Sequence, residues 1–231
     1  MIGDPPVLTL RQRFERPSAA QVAAFAGVPT GFVVDAQMGQ GALDHRIKPL
    51  WPDSAFAAPA VTAKCGPRDN MAVWVAMKVA RARDVLALHT GGFEDAAVIG
   101  DHVAAIARRL GIAAVVTDGL VRDIDGLEQV GLPVFCLGLT PNSPYKHGPC
   151  EVGTRISLGG VAIDPGDILV GDRDGVAVVP RPRIDEVIAA LEDVRRKERE
   201  TGERIAAGAT IPPWVDELIG SGRTRLLDER L

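Results

Sequence analysis

The spacing of apolar residues is most regular in the middle of the chain, where it predicts a β-α-β-α-β arrangement. Residues 102–110 carry apolar side chains at the i, i+3, i+4, i+7 positions of an amphipathic helix, namely Val103, Ile106, Ala107 and Leu110. Asp101 occupies the expected N-cap position and Gly111 the expected C-terminal stop. The continuous apolar runs over 112–117 and 132–138 are typical of strands that are covered on both faces.

Four further elements precede this region. In chain order they are a short helix over 18–26 capped by Ser18, a strand over 59–65, a helix over 69–82 and a strand over 84–88. The helix over 69–82 begins after Asp69 or Asn70. We expect it to bury Met71, Trp74 and Met77 on one face.

The C-terminal third of the chain has a different pattern of apolar and polar residues. Residues 155–180 predict three or four short strands joined by turns rich in Gly, Asp and Pro. Residues 182–205 combine one apolar stripe with many charges, which indicates a surface or interface helix. A short tail helix would dock Trp214 elsewhere, with a neighbouring subunit as one option. The chain is therefore predicted to be one α/β domain over 1–231, with its C-terminal helix and tail at about 182–231.

The composition narrows the class of protein. The 231 residues are 46% apolar and 24% charged, the balance of a soluble globular protein. A net charge of −4 without a basic cluster argues against a nucleic-acid partner. With neither a signal-peptide pattern nor a long apolar run, we expect a cytoplasmic protein without a membrane partner. Cys65, Cys136 and Cys150 lack zinc spacing and are expected to be reduced thiols; a catalytic Cys150–His147 pair is the less favoured alternative.

Two segments carry groups that could bind an anionic substrate. Gly100 and Asp101 open a helix, whose free N–H groups and dipole suit a carboxylate or phosphate; a plain helix cap is the alternative. The loop after the strand at 112–117 contains Arg122, a planar fork for a carboxylate, and Asp123, a hard oxygen ligand for Mg²⁺ or Mn²⁺. The alternative for this pair is an exposed salt bridge of little energetic value.

The spacing between these two segments is also found in a known protein family. Asp101, twenty intervening residues and then Arg122-Asp123 form a D-x20-R-D signature. With it, the chain resembles the 4-hydroxy-4-methyl-2-oxoglutarate / 4-carboxy-4-hydroxy-2-oxoadipate aldolases, class II pyruvate aldolases that share a fold with the regulator of ribonuclease E activity A. The resemblance covers nearly the whole chain. It also includes 34–36, 47–50, 58–62, 91–92, 116–119, 133–135, 165–167, 171–172 and 174–176.

The resemblance implies an α/β/β swivelling-type fold in a homotrimer or homohexamer. It implies that Arg122 binds the pyruvyl carboxylate or enolate oxygen and that Asp123 anchors Mg²⁺, Mn²⁺ or another divalent metal, partly through water. The amides from Gly100 through His102 to Val103 would hold the substrate carboxylate, and Asp101 would orient water or relay a proton. An acidic residue from a neighbour's C-terminal helix would complete the site, with Glu198 favoured and Glu200 next.

Two functions remain in competition after this comparison. The first is a metal-dependent lyase that cleaves small 4-hydroxy-2-oxo acids and decarboxylates oxaloacetate through the same pyruvate enolate. The second is a non-enzymatic, protein-binding regulator of a ribonuclease. The presence of Asp123 favours the enzyme, because the resemblance implies that the regulator branch lacks a metal-binding Asp after the Arg. Departures at His89-Thr90 and at the loop Tyr145-Lys146-His147 bear on the substrate, because that loop could shape the pocket or lie on the surface.

Overall fold

A computed structural model describes residues 6–227, and in that range it contains fourteen strands and seven α-helices. The strands are β1 (Leu8–Leu10), β2 (Lys48–Pro49), β3 (Phe56–Lys64), β4 (Val85–His89), β5 (Ala97–Ile99), β6 (Ala114–Thr117), β7 (Leu120–Val121), β8 (Val134–Cys136), β9 (Gly138–Leu139), β10 (Cys150–Val152), β11 (Ile156–Leu158), β12 (Val161–Ile163), β13 (Ile168–Asp172) and β14 (Gly175–Val179). The helices are α1 (Ala19–Ala23), α2 (Thr30–Ala36), α3 (Met71–Val79), α4 (Asp101–Arg109), α5 (Ile124–Val130), α6 (Ile184–Ala206) and α7 (Pro213–Ile219).

A nine-stranded mixed sheet forms the centre of the fold. Its main path runs β1-β10-β3-β4-β6-β8-β2, and β13 and β14 extend it from β3. Along β4, Leu86 and Leu88 pack into the apolar cluster that includes α3 and α4, whereas Val85 and Ala87 pack into the cluster on the opposite face. Both faces of the central strands are therefore buried, which explains their continuous apolar sequences.

Two smaller sheets complete the α/β/β swivelling-type fold. β11 and β12 form an antiparallel hairpin, and β5, β7 and β9 form a three-stranded parallel sheet. The predicted β-α-β-α-β region is confirmed, because α4 and α5 connect the parallel strands β4, β6 and β8. Residues 155–180 contain four strands, within the predicted three or four.

Three local predictions are wrong. Gly100, not Asp101, is the N-cap of α4, and Asp101 is the first helical residue. Trp74 is 37% exposed rather than buried, because α3 turns Ala72, Val73, Ala76 and Met77 toward the sheet. In α4 the buried residues are Ala104 and Ala107, while Ile106 and Leu110 remain exposed. The buried contact of α4 is made by alanines, and the larger apolar side chains lie outside it.

The chain divides into two compact units, residues 1–191 and 192–231. The first contains every described strand and α1 to α5. The second contains the C-terminal part of α6 and all of α7, whose Trp214 is 60% exposed. The single domain predicted from sequence stays a prediction. Among residues 6–227, no helix combines the length and apolar character that crossing a bilayer requires.

Candidate active site

The small parallel sheet brings the candidate residues together. β5 pairs with β7 and β7 with β9, all in the same direction. Carboxyl ends of parallel strands lie at one edge, so the segments that follow the three strands meet there. The backbone confirms this arrangement: Arg122 N–H donates to Ile99 O at 3.1 Å, and Thr140 N–H donates to Val121 O at 3.0 Å. The residues at both ends of the twenty-residue interval, Asp101 and Arg122, therefore become neighbours.

These segments surround a cavity of about 240 Å³. Its lining consists of Asn70, Trp74, Ile99, Gly100, Asp101, His102, Val103, Arg122, Asp123, Ser143, Pro144 and Lys146. Six of the seven residues that the sequence singled out are in this set. The seventh, Glu198, lies exposed on α6 in the second unit, and its role stays a prediction.

Arg122 is held on two sides. Its Nε lies 3.1 Å from Asp123 Oδ2, and its Nη1 donates to Ser143 Oγ. The side chain is one-third exposed, so it is oriented without being sealed from solvent. Because a guanidinium carries five N–H donors, these contacts fix the plane of the fork and leave capacity for a carboxylate.

Asp123 adopts an unusual backbone conformation. Its φ of +61° lies in the left-handed region, which non-glycine residues seldom adopt. It occupies the N-cap position of α5, yet among the described residues its carboxylate makes no capping hydrogen bond to that helix. The carboxylate instead lies over Gly100, where an added Cβ would overlap Asp123 Oδ2. The lack of a side chain at residue 100 thus makes room for the carboxylate.

The position of the Asp101 side chain depends on a second glycine. Its carboxylate packs against Gly126 of α5, where an added Cβ would lie 2.6 Å from Asp101 Cβ. Its Oδ1 accepts a hydrogen bond from His102 N–H at 2.6 Å. An acidic residue in the first turn also interacts favourably with the helix dipole. The His102 side chain is 94% exposed, so of that residue the backbone is the part held in place.

The loop between β9 and β10 forms a wall of the cavity that the sequence analysis did not assign. Ser143, Pro144 and Lys146 line the cavity, whereas Tyr145 is exposed and stacks on His147. Lys146 therefore belongs to the pocket, one of the two options left open for this loop.

The buried carboxylate of Asp69 holds that loop in place. It accepts hydrogen bonds from Gly148 N–H at 3.1 Å, from His147 N–H, and from Met71 N–H of α3 at 2.8 Å. A single side chain therefore connects the start of α3 to the loop that carries Lys146. The Asp69-Asn70 pair at a helix start is the sequence signal for this contact, although such a pair by itself predicts only a helix cap.

Asn70 is a second unassigned residue of the site. It is 3% exposed, and its Nδ2 donates to Val98 O at 3.1 Å. Its Oδ1 is buried and has no hydrogen-bond partner among the described residues. A buried polar atom without a partner costs stability, so its place beside this cavity is consistent with a functional requirement.

The acidic groups of the cavity suit one kind of metal. Within residues 6–227, no cluster of three or more His, Cys, Asp or Glu side chains could enclose a metal ion. Asp123 and Asp101 nevertheless line one cavity. One or two carboxylates supplemented by water fit Mg²⁺ or Mn²⁺, which retain much of their hydration, and do not fit a closed zinc site.

His89 and Thr90 lie outside this lining. His89 Nδ1 is 2.9 Å from Asp118 Oδ2, and Thr90 N–H donates to Asp118 Oδ1 at 2.6 Å. These contacts connect the end of β4 to the turn after β6 and have a structural explanation.

Comparison with known proteins matches the arrangement to one family. A family model described as RraA-like (Aldolase/RraA) matches residues 30–178. A Halalkalibacterium halodurans protein named "Putative 4-hydroxy-4-methyl-2-oxoglutarate aldolase" is 36% identical over 202 residues, covering 86% of this chain and 95% of the relative.

Two solved structures share the fold. An RraA-family protein from Streptomyces coelicolor, described as an unusual member of the RNase ES inhibitor family, has a TM-score of 0.74 at 25% identity, covering 82% of this chain and 100% of its own. The RNA-processing inhibitor RraA from Thermus thermophilis has a TM-score of 0.61 at 30% identity, covering 66% of this chain and 93% of its own.

Proposed function

The chain belongs to the RraA-like family, and from that premise we propose that it is a divalent-metal-dependent lyase. It cleaves 4-hydroxy-2-oxo acids to release pyruvate and decarboxylates oxaloacetate. The observation that carries the proposal is the convergence of the Arg122 fork, the Asp123 carboxylate and the start of α4 on one cavity. The aldolase name of the Halalkalibacterium halodurans relative supports the same chemistry.

Substrate binding divides between two features of the site. The substrate carboxylate binds at the N–H groups that open α4, where the helix dipole favours an anion. Arg122 faces the same cavity and donates to the enolate oxygen as negative charge develops there. Its contacts with Ser143 and Asp123 orient the guanidinium before substrate arrives, so little reorganisation is needed during the reaction.

Asp123 would hold the metal, and Asp101 would orient a water molecule in the same cavity. When bound, Mg²⁺ or Mn²⁺ supplies Lewis-acid polarisation of the 2-oxo group. Asp101, fixed against Gly126, accepts and returns a proton at its carboxylate through ordered water. In a trimer or hexamer, Glu198 of a neighbouring subunit would supply the acidic group that completes the site.

The proposal is tested by pyruvate release. The full chain is assayed with 4-hydroxy-4-methyl-2-oxoglutarate and with oxaloacetate, in Mg²⁺ and in EDTA, after correction for the metal-catalysed decay of oxaloacetate. We expect turnover in Mg²⁺ that EDTA abolishes. Arg122→Lys keeps the charge but loses the planar fork, so its turnover should fall by about 10²-fold. Turnover that persists in EDTA would rule out the metal mechanism.

A second candidate is a protein-binding regulator of a ribonuclease. It is favoured by the fold shared with the Streptomyces coelicolor protein, an unusual member of an RNase ES inhibitor family, and with the RNA-processing inhibitor from Thermus thermophilis. A folded, metal-loaded chain that turns over neither substrate and slows RNA cleavage by a purified ribonuclease would favour this candidate over the lyase.

A further inference from the structure

Cys65 directly follows β3 and Cys150 begins β10, and neither lines the candidate active site. These antiparallel strands pair Glu151 with Lys64 and Val152 with Ala63. One further step of the same register places Cys150 opposite Cys65. The chain thus aligns two of its three cysteines, although 84 residues separate them in the sequence.

The hydrogen-bond pattern shows which kind of pair this is. Gly153 N–H donates across the strands to Thr62 O at 2.9 Å, and hydrogen-bonded pairs recur at every second position of an antiparallel ladder. The pair formed by Cys65 and Cys150 is therefore a non-hydrogen-bonded one. The two amides are consistent with this, because neither donates across the pair. Cys65 N–H donates to His89 O on β4, and Cys150 N–H donates to Val7 O, just before β1.

Non-hydrogen-bonded pairs have the shorter separation, with Cα atoms about 4.5 Å apart and side chains on the same face. Disulfides span Cα separations of about 4.4–6.8 Å. The thiols of Cys65 and Cys150 can therefore be joined without moving either strand far. Both are buried in the same apolar cluster, and both line a cavity of about 340 Å³ beside Lys64 and Glu151.

We propose that Cys65 and Cys150 form a reversible disulfide, a redox site distinct from the lyase cavity, and that a low-molecular-weight disulfide such as oxidised glutathione is its oxidant. The thiolate of one cysteine attacks a sulfur of the oxidant and releases one glutathione thiol. The second cysteine then displaces the other glutathione. Two protein thiols lose two electrons and two protons, and the oxidant is reduced to two thiols.

Burial of the two thiols makes this thiol–disulfide exchange slow. It raises the pKa of both thiols, and the nearby carboxylate of Asp69 acts in the same direction. Little thiolate is present at neutral pH, so oxidation is slow compared with that of an exposed cysteine. The disulfide itself is uncharged and carries no such penalty in an apolar cluster.

The crosslink would connect two segments that already form part of the candidate active site. Cys65 precedes Asp69 and Asn70, and Cys150 ends the loop that carries Lys146. The bond would join both segments at their base, so the oxidised protein should hold the loop more tightly.

The test uses the full chain equilibrated in glutathione buffers from fully reduced to fully oxidised, followed by acid quenching. Thiols are counted and peptides mapped by mass spectrometry. We expect the free thiols to fall from three to one, with a single internal Cys65–Cys150 link. Cys65→Ser should leave Cys150 as a mixed disulfide with glutathione. Cys136→Ser should retain the internal link.

Cys136 is the matched control, because it is equally buried but lies opposite Lys48 on β2. Burial raises its pKa to about 11. The proposal is overturned if all three thiols persist in oxidised glutathione while the urea-unfolded chain oxidises. It is equally overturned if the folded chain yields separate adducts or a link that involves Cys136. Circular dichroism verifies that each variant is folded.

Discussion

At residue 100 the lack of a side chain determines where the carboxylate of Asp123 can lie. Gly100 has an extended backbone that any residue could adopt, so its requirement is for space and not for conformation. An added Cβ would overlap Asp123 Oδ2 and lie 3.1 Å from Arg122 Cγ. Asp123, proposed to hold the metal, and Arg122, proposed to donate to the enolate oxygen, therefore both depend on this one glycine.

Gly100→Ala is expected to lower turnover by about 10²-fold while the fold is retained, because small displacements of catalytic groups have effects of that size. The measurement is the rate of pyruvate release, with the midpoint of urea unfolding as the check on stability. The matched control is Gly31→Ala on α2, where an added Cβ has no atom within 4 Å. Equal activity in both variants would show that Asp123 does not need its present position.

The sequence predicted residues of the site only where a local pattern accompanied them. Gly100 to Val103 and Arg122-Asp123 follow strands and carry a characteristic spacing, and all of them line the cavity. Asn70 and Lys146 were not assigned, because their position depends on how α3 and the loop after β9 pack against the small sheet. The direction of those side chains is a tertiary property that apolar periodicity does not encode.

At the scale of elements, Asp69 connects the start of α3 to the loop that carries Lys146. Its carboxylate is 5% exposed and accepts three backbone N–H donors. Removing an acceptor from buried donors costs more than losing an exposed contact, because the donors have no water to replace it.

Asp69→Ala should therefore lower the free energy of unfolding by about 2–3 kcal/mol. It should also increase amide hydrogen exchange over residues 143–148, because the loop loses its attachment. The control is Asp53→Ala, an exposed position, which should stay within about 0.5 kcal/mol of the parent chain. An unchanged exchange rate in that loop would contradict the positioning role of Asp69.

The order of the strands and helices was largely predictable, whereas the exact faces of the helices were not. Continuous apolar runs correctly identified β6 and β8 as strands buried on both faces. The prediction that Trp74 is buried was wrong, since helical spacing alone does not distinguish a residue facing the sheet from one at the edge of a cavity. The cap of α4 was displaced by one residue, because Gly100 and Asp101 both suit helix starts.

At the scale of the whole molecule, the proposed role of Glu198 requires a second copy of the chain. The cavity is lined entirely from the first unit, and Glu198 belongs to the second. The second unit also exposes apolar side chains, including Ile211 and Trp214, as expected of a surface that contacts another subunit.

Mixing two inactive variants tests whether neighbouring subunits contribute residues to the same site. If each site combines Arg122 from one subunit with Glu198 from its neighbour, Arg122→Ala and Glu198→Ala should each be inactive alone. Co-refolded in equal amounts, they should recover roughly a quarter of the parent activity, because that share of sites receives both intact residues. Glu203→Ala, an exposed position on the same helix, is the matched control. No recovery from mixed oligomers verified by mass spectrometry would remove Glu198 from the mechanism.

The most direct measurement is Mn²⁺ binding by electron paramagnetic resonance, made on the parent chain, Asp123→Asn and Asp125→Asn. Asp125 is the matched control, since it is an exposed carboxylate two residues away in the first turn of α5 and outside the cavity lining. We expect Asp125→Asn to bind Mn²⁺ like the parent, whereas Asp123→Asn should bind it at least about 10²-fold more weakly and lose turnover. Equal Mn²⁺ affinity in all three proteins would contradict the assignment of Asp123 as the metal ligand.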